Sequence, residues 1–251
     1  MIALGDVVII GGGCYGTFYT GQLEIARARG AVSYRSLIVV DHNPQCQAAA
    51  LPPDAARTLL VSDWSAFLDG WFDRAERDHD GLSDMIVPSP MMPHLMAEWL
   101  ARQVPRYWSK RTGELVPADG ALGTPYDRLH GDGVRYVSFA DWLCPVHCIE
   151  PLRCPIIKAP RTWEMGDAVA AWTSARGAAG PALFTCRHVV HGVGMYPVAR
   201  AFEGLDLLTT IAERPEGGEL VIGSVSACHG AVAVLRVAPR PVLVAGTPAH
   251  R

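Results

Sequence analysis

Short apolar runs alternate with helix-like stretches over the first hundred residues of the chain. The runs are rich in β-branched residues, which is typical of buried strands. The stretches between them space their apolar residues three or four apart, as one face of a helix does. The predicted strands cover residues 7–10, 36–41, 58–61 and 84–88, and the predicted helices cover residues 15–29, 64–76 and 93–104. This alternation predicts a parallel sheet with helices on both faces.

The pattern changes after residue 104. Glycine and proline interrupt any period over residues 105–133, which predicts a long irregular loop or lid, with or without a short hairpin. Regular patterns then resume. The predicted strands are 134–139, 181–185, 219–225 and 231–237, and the predicted helices are 167–175 and 197–212. The last two strands suit an antiparallel pair that closes the sheet, joined by a polar turn.

A glycine cluster follows the first predicted strand directly and fits the pattern G-x-G-x-x-G. Gly11 permits a sharp turn, the missing side chain at Gly13 lets a pyrophosphate approach the backbone, and Gly16 lets the first helix pack closely on the strand. The N–H groups at the start of that helix would face the phosphates. The cluster resembles the nucleotide-binding turn of Rossmann-type NAD(P)- and FAD-binding proteins. The binding residues that this resemblance implies are Gly11, Gly12, Gly13, Cys14, Tyr15 and Gly16.

The resemblance covers about the first 100 residues and has further implications. It implies that Asp41, at the end of the second long strand, accepts hydrogen bonds from the adenosine ribose, which favours NAD, or FAD as the alternative, over NADP. The other interpretation is that Asp41 caps the turn that follows it. Ser89, at the end of the fourth strand, should border the same crevice.

The expected fold is therefore α/β and Rossmann-like, with a mostly parallel sheet. Residues 1–104 would form a dinucleotide-binding half, residues 105–133 a loop or lid, and residues 134–251 a cysteine- and histidine-rich second half. We expect that second half to continue the same domain and to end in the antiparallel pair.

Three cysteines fall close together in the second half, with the spacing C-x3-C-x5-C. Thiolates this near in sequence can wrap around one soft metal ion or cluster, so zinc or an iron–sulfur cluster is expected. The predicted ligands are Cys144, Cys148, Cys154 and Cys186. His147, His188, His191, Cys228 and His229 are alternatives for the fourth position. Buried structural thiols and a redox-active thiol are competing interpretations.

Two histidines follow Cys186 at a spacing of three. His188 and His191 are the predicted catalytic residues, because an imidazole titrates near neutral pH and can serve as general acid or base. The alternatives are a pair of metal ligands and a hydrogen-bonded pair near a strand end.

Composition restricts the partners. The formal net charge is −3, so nucleic acid and anionic membranes are not expected partners. No apolar run is long enough to span a bilayer, and the N-terminus lacks the features of a signal peptide, so a cytoplasmic location is expected. Seven cysteines, an odd number, argue against a disulfide framework. A small-molecule substrate or nucleotide is the expected partner, and a homo-oligomer is compatible with the sequence.

These observations predict an NAD- or FAD-binding oxidoreductase with a cysteine-ligated metal or iron–sulfur site. A nucleotide-binding sensor module with a structural metal and no catalytic activity is the first alternative. An S-adenosylmethionine-dependent methyltransferase is the second, and it is disfavoured because the first strand carries no acid just before the glycines.

Overall fold

The computed structural model describes residues 1–78, 81–89, 94–145 and 148–241. Its helices are α1 (Cys14–Ala28), α2 (Trp64–Asp78), α3 (Leu95–Tyr107), α4 (Met165–Arg176) and α5 (Ala199–Ala212), with a 3-10 turn over Gln47–Ala50. Its strands are β1 (Ile2–Ala3), β2 (Val7–Ile10), β3 (Val32–Ser33), β4 (Leu37–Asp41), β5 (Arg57–Val61), β6 (Met85–Val87), β7 (Gly113–Val116), β8 (Tyr126–Leu129), β9 (Arg135–Ser138), β10 (Ala179–Thr185), β11 (Arg187–Val190), β12 (Val193–Pro197), β13 (Gly218–Val225) and β14 (His229–Val237).

The first sheet has the strand order β11-β12-β6-β2-β4-β5. The four strands predicted from the first hundred residues are present, and they pair in parallel. Strands β12 and β11 then extend the sheet in antiparallel fashion. The sheet is therefore mixed rather than purely parallel. The pattern missed β11 and β12 because each is only four or five residues long and a turn at His191 and Gly192 separates them.

A second sheet contains most of the remaining strands, in the order β10-β13-β14-β9-β8, with β7 paired to the end of β14. The predicted antiparallel pair is confirmed as β13 and β14. Its expected position was wrong, because the pair lies at the centre of this second sheet and does not close the first. Strand β14 can occupy a central position because residues 231–235 are buried on both faces.

Residues 105–133 contain more regular structure than the loop or lid that the sequence predicts. They begin with the last turn of α3 and contain two strands that the second sheet incorporates. Strand β7 pairs with β14, and β8 forms a hairpin with β9. Each strand has only four residues, so neither produces a visible apolar period, and their positions depend on pairing with strands elsewhere in the chain.

The two sheets share one layer of helices. Helix α1 covers one face of the first sheet, where Leu23 packs with Ile9 and Val39. Helices α2, α3 and α5 lie between the sheets, in a core that contains residues of both. Helix α4 covers the far face of the second sheet through Met165 and Val169. Helices thus lie on both faces of the first sheet, as predicted. None of the described helices has the length and apolar character that a bilayer span requires.

The glycine turn, residues 11–16, connects β2 to α1. Gly11 has a φ of +90°, which only glycine adopts readily. A Cβ on Gly16 would lie 1.8 Å from the carbonyl oxygen of Gly11, so the absence of a side chain lets α1 begin directly against the turn. Gly21, in the same helix, has no neighbouring atom within 4 Å of the position of a Cβ. The two glycines of α1 therefore differ in what a methyl group would meet.

This difference gives a matched pair of substitutions. Gly16→Ala should lower the free energy of unfolding by about 1–3 kcal/mol, because the added methyl group forces the turn apart. Gly21→Ala should raise it by about 0.5–1 kcal/mol through helix propensity alone. Urea denaturation monitored by circular dichroism measures both. Equal effects of the two substitutions would show that α1 does not pack on the turn as described.

Candidate functional site

Asp41 holds the glycine turn in place. Its Oδ2 accepts a hydrogen bond of 2.7 Å from the Gly12 amide, and its Oδ1 accepts one of 2.8 Å from the Asn43 amide. The residue is only 6% exposed. Asp41 therefore does cap the turn that follows it, and it also fixes the turn that precedes α1. Each carboxylate oxygen keeps a lone pair after these bonds.

One side of the glycine turn is covered and the other is open. The Ala48 amide, in the 3-10 turn, donates to the Gly12 carbonyl, and a Cβ on Gly12 would lie 2.4 Å from the Cys46 sulfur. Gly13, in contrast, has nothing within 4 Å of the position of a Cβ. Among the described residues, no side chain caps α1, and its first turn contains no acid. The open side at Gly13 therefore presents the uncapped start of a helix.

A cleft of about 350 Å³ lies at the carboxyl end of β6, between the two sheets. Several segments of the chain form its walls. They contribute Tyr19 from α1, Pro88 and Ser89 after β6, Cys186 and His188 before and in β11, Ser226 in the turn after β13 and His229 at the start of β14. The segment of residues 144–154, which we call the cysteine loop, contributes Cys144, Cys148 and Glu150.

Two histidines and a carboxylate face each other in the cleft. Burial lowers the pKa of His188, while the nearby Glu150 acts to raise it and His229 to lower it. Burial likewise lowers the pKa of His229, with Glu150 acting in the opposite direction. His229 Nδ1 lies 2.9 Å from Ser138 Oγ, and its Nε2 lies 4.0 Å from Glu150 Oε1. Both imidazoles are therefore held in the neutral form near pH 7, the form that can accept a proton.

The predicted pair of His188 and His191 is divided between two places. His188 lies in the cleft, whereas His191 lines a different and shallower pocket with Phe18, Gln22 and Arg29. The strand and turn that carry them place them apart, because the spacing of three brings side chains together on a helix but not on a hairpin. His229 takes the second position in the cleft.

Four thiols line a second, smaller pocket behind the cleft. We call this group the thiol ring, and it consists of Cys144, Cys148, Cys154 and Cys228. Cys186, predicted as the fourth ligand, lines the cleft instead. Among the residues that the structure describes, no three His, Cys, Asp or Glu side chains could hold a metal ion as they are placed. His147, an alternative fourth ligand, lies outside the described residues.

Burial shapes the chemistry of these thiols. Burial raises the pKa of the Cys144 thiol, and the neighbouring Cys148 and Cys154 raise it further. Burial also raises the pKa of Cys228, to about 11, and that of Cys186 well above its usual range. As free thiols these groups are protonated at neutral pH, so they are poor nucleophiles.

Glu150 joins the cysteine loop to the turn between β13 and β14. Its Oε1 accepts a hydrogen bond of 2.7 Å from Ser226 Oγ and one of 3.3 Å from the Cys228 amide. Its Oε2 accepts one of 2.7 Å from the Ala227 amide. The side chain is 7% exposed. This set of bonds, which we call the Glu150 clamp, fixes the cleft and the thiol ring relative to each other.

The sequence contains a signal for Cys228 and His229, which it offered only as alternative metal ligands, and for Ser226 beside them. Residues 226–230 are a short polar segment, Ser-Ala-Cys-His-Gly, between two strongly apolar strands. Polar side chains in such a turn commonly carry function. Glu150 gave no comparable signal, because its role depends on a segment 76 residues away.

The Glu150 clamp should be important for stability. Glu150→Ala leaves the partly buried donors of Ser226 and Ala227 without their carboxylate partner and should lower the free energy of unfolding by about 2–4 kcal/mol. Glu150→Gln keeps the shape of the side chain and should cost less. Glu203→Gln removes an exposed partner of Arg200 and should change the stability by less than about 0.5 kcal/mol. A cost for Glu150→Ala as small as that of Glu203→Gln would contradict the clamp.

His188 should make stability depend on pH in a defined direction. Its pKa is lowered in the folded protein, so the unfolded chain binds a proton more readily, and stability falls as pH drops below the unfolded value of about 6.5. We expect the thermal midpoint to fall between about pH 7 and 5, and to fall less in His188→Gln. The reverse order would mean that His188 is stabilised as the cation by Glu150.

Comparison with known proteins gives one family. Residues 96–238 match the model of the AF_1314_C family, described as an uncharacterized protein, C-terminal domain. The match begins in α3 and ends after β14, so it includes the cysteine loop and both cleft histidines, whereas the glycine turn precedes it. No curated protein and no solved structure matches the chain. Because the match covers more than half of the chain, the protein belongs to the AF_1314_C family.

Proposed function

We propose that the protein binds NAD at the glycine turn and is an oxidoreductase for a small molecule that occupies the cleft. The proposal rests on one observation, which is that the cleft opens beside the glycine turn. Pro88 and Ser89, which follow β6, line the cleft, and Ser89 Oγ lies 3.8 Å from the position of a Cβ on Gly11. The cleft and the glycine turn are therefore neighbours.

The strand order supports this assignment. If the four parallel strands β2, β4, β5 and β6 are numbered 1 to 4 in chain order, they lie across the first sheet in the order 3-2-1-4. This is the order of a Rossmann-like half, and β2 and β6 border the point where the order reverses. Ligands of open α/β sheets bind at that point, outside the carboxyl ends of the strands.

The open side of the turn fits the phosphates of a dinucleotide. A pyrophosphate at Gly13 would meet the uncapped start of α1, where the N–H groups and the helix dipole favour an anion. The remaining lone pairs of Asp41 suit the hydroxyls of the adenosine ribose, and its negative charge disfavours a 2′-phosphate. NAD is therefore the proposed cofactor, with FAD as the alternative.

The cleft supplies a group for proton transfer. When bound, the nicotinamide ring would exchange a hydride with a carbon of the substrate. His188 is neutral in the cleft, so it can take the hydroxyl proton of an alcohol as the carbon loses its hydride, and return it in the reverse direction. If Ser138 donates to the Ala140 carbonyl, its oxygen accepts from His229 Nδ1, which leaves His229 Nε2 as a second acceptor.

Gly13→Ala tests the cofactor site without disturbing the fold. Gly13 has a φ of −74° and free space around its Cα, so alanine fits there in the free protein. The methyl group would occupy the approach of the pyrophosphate, and we expect NAD to bind at least about tenfold more weakly, a loss of about 1.4 kcal/mol. Calorimetry with NAD, NADP and FAD measures this, and Gly21→Ala is the matched control.

The proposal is contradicted if the wild-type protein binds none of the three cofactors. It is also contradicted if Gly13→Ala binds NAD as tightly as the wild type does. Tight binding without any turnover of alcohols or carbonyl compounds would instead favour a nucleotide-binding sensor over an enzyme.

A further inference from the structure

The thiol ring gathers cysteines from two distant parts of the chain. Three come from the cysteine loop, and Cys228 comes from the turn between β13 and β14. All four thiols line the same pocket, together with Glu150 and Arg161. Cysteine thiolates that surround one pocket suit a shared soft ligand, such as a metal ion or an iron–sulfur cluster.

We propose that the thiol ring holds an iron–sulfur cluster. Four cysteine thiolates are the ligand set of [2Fe–2S] and [4Fe–4S] clusters, in which they bind to different irons. The same four ligands can bind one zinc, and the experiment below distinguishes that outcome.

The surroundings of the ring carry hydrogen-bond donors directed at sulfur. The Glu150 amide donates to Cys148 Sγ over 3.4 Å, and the indole Nε1–H of Trp163 donates to Cys228 Sγ over 3.4 Å. Glu150 adopts a φ of +49°, a left-handed conformation that is costly for a residue with a side chain. Hydrogen bonds to sulfur stabilise the negative charge of a thiolate and tune the potential of a cluster. The left-handed backbone at Glu150 therefore accompanies an N–H group that donates to a sulfur, as a bound thiolate would require.

A buried cation lies against the same pocket. The Arg161 side chain lines it and is only 8% exposed. The Arg161 Nε finds no hydrogen-bond partner among the described residues, although its Nη1 donates to the Trp163 carbonyl over 2.6 Å. The guanidinium already pairs with the Glu164 carboxylate through Nη1, so its charge is compensated. Its Nε is a remaining buried donor that the thiolates of a cluster would satisfy.

The thiol ring adjoins the cleft, but the proposal of a cluster does not depend on NAD binding. Cys144, Cys148 and Glu150 line both pockets, so a cluster in the ring would lie directly behind the wall of the cleft. The presence of a cluster can be measured on the protein alone, and a failure of NAD binding would leave the result unaffected.

Anaerobic reconstitution tests the proposal. The full-length protein is incubated with ferrous iron and sulfide under reducing conditions, desalted, and analysed for iron, acid-labile sulfide and zinc. We expect a broad visible absorption band that bleaches with dithionite, and roughly two or four irons per chain with matching sulfide. A colourless protein without iron, or one that takes up a single zinc in place of iron and sulfide, would overturn the proposal.

Serine variants test which thiols are ligands. Cys154→Ser and Cys228→Ser should each lose most of the iron, whereas Cys186→Ser and Cys14→Ser should keep it, because Cys186 lines the cleft and Cys14 is exposed in the glycine turn. Circular dichroism of each variant shows whether it is folded. Loss of iron in Cys186→Ser with retention in Cys228→Ser would contradict the ring as we define it. The reconstitution of the wild type remains decisive if a variant does not fold.

Discussion

The arrangement of the second half depends on one buried carboxylate. Glu150 accepts hydrogen bonds from Ser226, Ala227 and Cys228, and it is almost fully removed from solvent. Burying a charged carboxylate is expensive unless donors of this kind surround it. Since the described residues of the cysteine loop form no helix or strand, the clamp gives them a defined position. The same bonds hold His229 at the cleft on one side and Cys228 in the thiol ring on the other.

The clamp lies in a fold in which strand ends of both sheets border the same cleft. The first sheet ends its parallel strands at the glycine turn and at Ser89, and the second presents the turn between β13 and β14 to the same space. The shared layer of α2, α3 and α5 fixes the separation of the sheets through a common core. The glycine turn on one sheet and the thiol ring beside the other therefore both adjoin one cleft. The family match includes the cysteine loop, His188 and His229 of the cleft but not the glycine turn.

The sequence predicts most of the elements but not how they assemble. Strands β2, β4, β5 and β6 have strong apolar patterns, so their positions follow from local physics. Strands β7, β11 and β12 are short and depend on partners far away in sequence, and no local pattern reports this pairing. The same limit applies to the site. The three cysteines of the loop were found by their spacing, whereas the exchange of Cys186 for Cys228 and of His191 for His229 follows from tertiary contacts.

The central claim is that the clamp joins an iron–sulfur site to the wall of the cleft. Anomalous diffraction at the iron edge, from crystals of anaerobically reconstituted protein, tests it most directly. We expect one anomalous peak surrounded by the four sulfurs of the thiol ring, with Glu150 still bound to Ser226 and Ala227. A peak at Cys186 or elsewhere, or no peak at all with the four thiols apart, would contradict the account.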